Sequence, residues 1–218
     1  MIRTLLLDLD GTLVDSAPDL AASLNRVLAP PGAPFTPAEI APMIGDGAGV
    51  LARRAMAARG LPESPEMIRS FTEDYAAHAA ELTRPYPGVL DGMRALAAAG
   101  WRLAVCTNKP EAAAHTLLAA LGMDELLAAV GGGDSFPVRK PDPEHMLATL
   151  RLAGGEPGAA VAVGDNRNDV AAARGAGLPC IFAAWGYGGP DMAEGAAAIA
   201  REFAEVQPNA EKLLTTRL

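Results

Sequence analysis

Thr4-Leu5-Leu6-Leu7-Asp8-Leu9-Asp10-Gly11-Thr12 is the stretch on which the reading of this chain turns. It is apolar on both faces and then stops at two carboxylates one residue apart. That pattern predicts a parallel strand covered on both sides, over 4–9, with polar residues at its tip. Alternation along an extended chain would point Asp8 and Asp10 the same way. Two carboxylates at the end of a buried strand are costly unless a cation or a shared proton offsets them.

Working outward, runs of the same kind recur at 102–107, 126–130, 160–163 and 179–183. Helical patterns separate them at 91–99, 111–121, 144–152 and 168–174. Gly100, Gly122 and Gly175 stand where left-handed C-caps belong. The expected architecture is α/β, a doubly wound, mainly parallel, Rossmann-like sheet. One stretch breaks the alternation. From 16 to 84 only helical patterns occur, at 17–28, 37–43, 48–59 and 65–81, with a Pro-Gly linker at 29–34. This predicts an inserted all-helical cap subdomain over 16–84, a catalytic core of 1–15 and 85–218, and two hinges near Leu13-Val14-Asp15-Ser16 and Arg84-Pro85.

The chain has 218 residues, 18 Lys+Arg against 26 Asp+Glu, and a formal charge of −8. Half of it is hydrophobic, as in a globular protein with a real core. An acidic balance argues against nucleic acid or an anionic membrane as a partner, because both reward clustered Lys and Arg. The apolar run at the start is too short for a signal-peptide core, and the longest charge-free stretch, 175–190, is broken by Gly and Pro. Cys106 and Cys180 lack metal-ligand neighbours and read as buried small hydrophobes in a reducing compartment. The expected location is cytoplasmic.

Loops after parallel strands gather at one sheet edge, so polar residues after each run matter first. The second run ends in Thr107-Asn108-Lys109-Pro110, a hydroxyl and backbone amides ahead of a helix, which can seat an anion or simply cap that helix. Lys140-Pro141-Asp142-Pro143 fixes a lysine before a stiff helix entry. The fourth run leads into Gly164-Asp165-Asn166-Arg167-Asn168-Asp169, and capping explains one of its aspartates but not both. Asp8, Asp10, Asp165 and Asp169 would bring four negative charges to one rim, with Lys140 the only obvious cation. Such a cluster calls for a metal, and its hard oxygen donors argue for Mg²⁺ over Zn²⁺. Mg²⁺ beside a lysine and hydroxyl-amide donors is a phosphoryl-transfer layout, so the expected partner is a small phosphorylated metabolite. His78, His115 and His145 read as packed or solvent-facing.

These segments, in order, resemble the four motifs of the haloacid dehalogenase superfamily, and the insert is similar to its helical cap. Asp15-Ser16-Ala17-Pro18-Asp19-Leu20, Ile44-Gly45-Asp46-Gly47, Arg84-Pro85-Tyr86-Pro87-Gly88-Val89 and Gly132-Gly133-Asp134-Ser135 look closest to its phosphoglycolate phosphatases. The resemblance implies Asp8 as nucleophile forming an aspartyl-phosphate, Asp10 as acid and base, and Thr107 and Lys140 as catalytic partners. It implies metal ligation by Asp8, Asp165 and the Asp10 backbone carbonyl, with Asp169 behind them. Thr107, Asn108 and Gly11 go with substrate, as do Gly45 and Asp46, where a helix N-terminus could hold a substrate carboxylate. Arg53 and Arg54 further on read as substrate cations or a solvated face. The implied substrate is 2-phosphoglycolate. The alternatives are a sugar-phosphate or other small-metabolite phosphatase, a phosphomutase, or an inactive binding protein. Asn166 departs from the Ser or Thr of many relatives, and the 185–189 loop is left open between an active-site loop and a turn.

Overall fold

The computed structural model describes residues 2–28 and 34–216. The expected Pro-Gly linker lies, but for Pro34, outside the described residues. Six strands form one parallel sheet: β1 (Thr4–Leu7), β4 (Arg102–Cys106), β5 (Ala129–Gly131), β6 (Ala160–Gly164), β7 (Cys180–Ala183) and β8 (Ala198–Ala200), in spatial order β5-β4-β1-β6-β7-β8. The α/β, doubly wound, parallel reading therefore holds. β1 lies where the strand order reverses, because the chain builds outward first through β4 and β5 and then through β6 to β8. Crevices in such sheets open at the carboxyl ends of the strands at this point.

Both faces of each strand are apolar, and alternation sorts them into two cores. Leu5, Leu7, Leu103, Val105, Val161, Val163 and Ile181 pack on one side under α5 (Val89–Ala98), α6 (Glu111–Ala120) and α9 (Val206–Thr215). Leu6, Ala104, Cys106, Ala160, Ala162, Cys180 and Phe182 pack on the other under α7 (Pro143–Leu152) and α8 (Arg167–Gly175). Both cysteines are buried free thiols, as expected. No helix among the described residues is long and apolar enough to cross a membrane.

Several element boundaries differ from the pattern reading. β5 starts three residues late because Asp124–Leu126 forms a 3-10 turn whose leucine packs on the core from outside the sheet. Gly175 is inside α8; the left-handed residue is Gly177, φ +69°, and Leu178 N–H bonds back to Ala173 O at 2.8 Å in a Schellman-type ending. β8 and α9 were not read from the sequence; β8 is only Ala198-Ile199-Ala200, with Ile199 exposed at the sheet edge.

Between the first and second strands of the large sheet lie α1 (Ala17–Val27), α2 (Pro37–Ile40), α3 (Ala48–Ala58) and α4 (Pro65–His78). Their apolar faces form a separate cluster that includes Leu20, Leu24, Ile40, Leu51, Met56, Phe71 and Tyr75. The two connecting segments pair with each other as an antiparallel ribbon, β2 (Val14–Asp15) with β3 (Arg84–Pro85). Asp19, in the first turn of α1 and almost fully buried, locks the return path. Its carboxylate accepts hydrogen bonds from Leu82 N, Thr83 N and Thr83 Oγ1, at 2.7–3.0 Å. Helix α4 ends before 81 because those two amides turn toward Asp19 instead of continuing the helix. Asp19→Ala strands the two buried donors of Thr83 and the part-buried Leu82 amide, and hydrogen bonds to a buried charge contribute about 1.5–3 kcal/mol each before relaxation. Urea unfolding should show a loss of about 3 kcal/mol; a change below 1 kcal/mol would count against the clamp.

Candidate active site

Register brings the site together. Leu7 pairs with Val105 on one side and Val163 on the other, so the residues just beyond, Asp8, Cys106-Thr107 and Gly164-Asp165, emerge side by side. Asp8, Asp165 and Asp169 are all buried, and each offers a carboxylate oxygen within 4.8 Å of the others. Lys140 reaches in from the segment before α7. Its Nζ donates to Asp8 Oδ1 at 2.8 Å, Asp169 Oδ1 at 2.6 Å and the Cys106 carbonyl at 2.6 Å, which engages all three ammonium hydrogens. Asp8, Asp165, Asp169 and Lys140 thus converge as expected from positions far apart in the chain.

Three buried carboxylates face one ammonium, so negative charge is in excess. Burial pushes Asp8 up to about 8, with Asp169 and Asp165 adding to the rise against the pull of Lys140. Burial, then Asp169, pushes Asp165 up to about 7, although Tyr187 N–H, Thr12 and Gly188 N–H oppose it. Burial alone would lower Lys140, but Asp169 and Asp8 hold its ammonium well above the usual range. A clustered set of hard oxygens with surplus negative charge fits a divalent cation, which would reverse the rise in the carboxylates.

Asp165 is the most tightly held of the three. Thr12 Oγ1 donates to its Oδ1 at 3.0 Å, and the Tyr187 and Gly188 amides donate to its Oδ2 at 2.8 and 3.3 Å. Gly11, at φ +89°, lies so close that a Cβ there would stand 2.4 Å from the Asp165 carboxylate. Gly11 therefore lets the backbone approach Asp165 and does not line the pocket with Thr107, Asn108 and Gly45. Asp169 shares its two oxygens: Oδ1 takes Lys140, and Oδ2 takes the Asn166 amide in a capping box at the start of α8. That box answers the question raised by Asn166, which is the N-cap. His145 is buried below Lys140, accepting from its amide at Nδ1 and placing Nε2 at 3.0 Å from the Gly132 carbonyl. Burial and Lys140 lower its pKa to about 4, so it is a neutral support.

A pocket opens over Asp8 between the strand tips and the helical segment. Its lining combines Asp8, Asp10, Thr107, Asn108 and Lys109 from the strand tips with Leu20, Ile44, Gly45, Gly47, Ala48, Leu51 and Tyr75 from the helical segment. The Asp10 carboxylate does not join the other three. It faces Lys109 Nζ at 3.3 Å, because β1 ends at Leu7 and the chain turns at Gly11. Lys140 is therefore not the only cation here. Asn108 Nδ2 donates to Gly45 O at 2.9 Å and to Lys140 O at 3.0 Å, tying the helical segment to the strand tips, and its buried Oδ1 meets no donor among the described residues.

Asp46 departs from its expected place. The N-cap of α3 is Gly47, and Asp46 turns away from the pocket to Arg54 Nη2 at 2.5 Å and Asn168 Nδ2 at 2.7 Å. Although partial burial would raise it, those two bonds hold its pKa below the usual carboxylate value. Arg53 pairs with Glu63, and neither arginine lines the pocket. Sequence reasoning missed Lys109, Tyr75 and Tyr187. Lys109 was legible as the charged member of its own motif, whereas nothing local marks the other two. Tyr187 closes the 185–189 loop onto the ribbon: its hydroxyl donates to Asp15 Oδ1 at 2.8 Å and accepts from the Ser16 and Ala17 amides, while Trp185 Nε1 donates to Thr12 O.

The model of the haloacid dehalogenase-like hydrolase family matches residues 2–177. A phosphoglycolate phosphatase of Agrobacterium fabrum is 44% identical over 192 residues, 86% of this chain and 82% of that protein. The crystal structure of a predicted phosphoglycolate phosphatase from Haemophilus somnus superposes with a TM-score of 0.83 at 32% identity, over 95% of this chain and 97% of that one. A mutant of CbbY from Rhodobacter sphaeroides in complex with xylulose-(1,5)bisphosphate superposes with a TM-score of 0.78 at 27% identity, over 94% and 96%.

Raised carboxyls have a consequence for stability. Between the ordinary Asp value of roughly 4 and the raised values of about 8 and about 7, the folded metal-free protein binds more protons than the unfolded chain. Its stability must fall as pH rises through that window. The melting temperature of chelator-treated protein should drop from pH 5 to pH 8, and an added divalent cation should restore more at pH 8 than at pH 5. An equal cation effect at both pH values would refute the assignment of these carboxylates as the cation site.

Proposed function

The chain belongs to the haloacid dehalogenase-like hydrolase family and is a phosphoric monoester hydrolase, and we propose that it hydrolyses 2-phosphoglycolate with Mg²⁺ through an aspartyl-phosphate on Asp8. The observation that carries this reading is a buried Asp8, held by Lys140 at 2.8 Å, at the floor of a pocket that Asp10 also lines. In the first step an Asp8 oxygen attacks phosphorus, the P–O ester bond breaks, and Asp10 gives its proton to the leaving alkoxide. In the second a water attacks the phosphorus of the aspartyl-phosphate, Asp10 takes the water's proton, and phosphate leaves with Asp8 restored.

Lys140 fixes the rotation of the Asp8 carboxylate and, with Thr107 and the Asn108 amide, offsets charge on the transferring oxygens. Asp8, Asp165 and the Asp10 carbonyl would hold Mg²⁺, which supplies charge neutralisation for the phosphoryl oxygens. Asp169, committed to Lys140 and to the α8 cap, acts from behind them. Residues 16–84 would serve as a cap over a core of 1–15 and 85–218, with the β2–β3 ribbon as its hinge. Opening there admits substrate and water, and closure excludes bulk solvent. The substrate is a small phosphorylated metabolite, and the two free buried cysteines suit a cytoplasmic enzyme.

Asp8→Asn keeps the size of the side chain and removes the nucleophile. Phosphate release should fall by at least about 10⁴-fold with the melting temperature retained, and substantial residual turnover would overturn the role of Asp8. A panel of phosphoglycolate, sugar phosphates, nucleotides and pyrophosphate with Mg²⁺ should rank phosphoglycolate first in kcat/KM. A sugar phosphate or bisphosphate ahead of it would move the assignment to the alternative suggested by the CbbY neighbour.

A further inference from the structure

The mechanism above leaves one buried charge without a task. Lys109 is 4% exposed, on the loop after β4, and lines the pocket. Its Nζ stands 3.3 and 3.5 Å from the two oxygens of Asp10, bonds the Tyr75 hydroxyl, and lies 4.2 Å from the centre of the Tyr75 ring. An ammonium carries three hydrogens, and among the described residues it meets two hydrogen-bonding partners. Its ammonium is thus buried yet engaged on one side by a carboxylate and on another by a hydroxyl.

Its position relative to the chemistry is specific. In the proposed mechanism Asp10 protonates the ester oxygen of the leaving group, and Lys109 lies beside Asp10 in the pocket, 3.3 Å away. The side chains of the wall beyond, Leu20, Ile44, Ala48 and Leu51, carry no charge to meet an anion. An unpaired carboxylate against such a wall is strongly disfavoured. Lys109 is the only Lys or Arg that lines the pocket among the described residues, since Arg53 and Arg54 are outside it and paired.

Resting on the reading of Asp10 as the acid for the leaving group, we propose that Lys109 is the specificity-determining residue, receiving a carboxylate one methylene from the ester oxygen. The substrate class is then short phosphomonoesters with a carboxylate at that distance. Tyr75, from α4, completes the seat by holding the ammonium from the helical side, so the carboxylate meets its partner where core and helical segment touch. The apolar wall excludes water and strengthens the pair.

The test compares 2-phosphoglycolate with ethyl phosphate, which replaces the carboxylate by a methyl group, in wild type, K109M, K109Q and K109R. The readout is the ratio of the two kcat/KM values, which cancels any effect of Lys109 on Asp10 common to both esters. Wild type should favour phosphoglycolate, and K109M and K109Q should lower the ratio by about 100-fold, with the loss chiefly in KM for phosphoglycolate. K109R should keep most of the preference. A ratio within threefold of wild type in the folded K109M or K109Q protein, with both esters slowed alike, would show that Lys109 only positions Asp10. Equal hydrolysis of both esters by wild type would overturn the proposal as well. Absence of phosphate release from every ester by wild type would instead remove the underlying reading. Melting curves establish folding, and the two apolar and polar replacements guard against either one failing to fold.

Discussion

Three carboxylates buried around a single ammonium set the terms for the rest of the molecule. Asp8, Asp165 and Asp169 could not be held this close in a low-dielectric interior without compensation, and Lys140 spends all its hydrogens on two of them and on a carbonyl. The support is layered. Neutral His145 fixes the Lys140 backbone, Asn166 shares Asp169 in a helix cap, and Thr12 with the 185–189 loop fixes the orientation of Asp165. Each neighbour satisfies a polar atom that burial would otherwise penalise.

The same bonds link the site to the helical segment. Tyr187 offers its amide to Asp165 and its hydroxyl to Asp15 at the ribbon, so one residue touches both the carboxylate cluster and the connection that carries α1. On the other side, Asn108 bonds Gly45, and Lys109 bonds Tyr75. The pocket is thus made at a seam: polar floor from the strand tips, apolar wall from the helices. Two lysines divide its electrostatics. Lys140 sits under Asp8 among the carboxylates, and Lys109 sits beside Asp10 against the apolar wall.

Resemblance to phosphoglycolate phosphatases and the site's own geometry support the proposed chemistry independently. The family match spans residues 2–177, whereas the geometry speaks through charge, burial and distance alone. They meet at Asp8, where a nucleophile is required by one and a constrained carboxylate over an open pocket is present in the other.

Much of this was legible in the residues alone. Continuous apolar runs at 4–9, 102–107 and 160–163 betrayed strands covered on both faces, because alternating burial on two sides demands it. The helical segment showed itself by the absence of such runs, and the acidic convergence followed from polar residues placed after each strand. Orientation was not legible. Asp10 turns to Lys109, Asp46 turns from the pocket to Arg54, and Gly11 serves Asp165 in place of a ligand, since each depends on partners 8 to 154 positions away that only folding supplies. Local chemistry decides which residues leave a strand tip, through propensity and periodicity over a few residues. Long-range packing decides where each side chain then points, because hydrogen bonds and charges are settled by whatever the whole fold brings within about 3 Å.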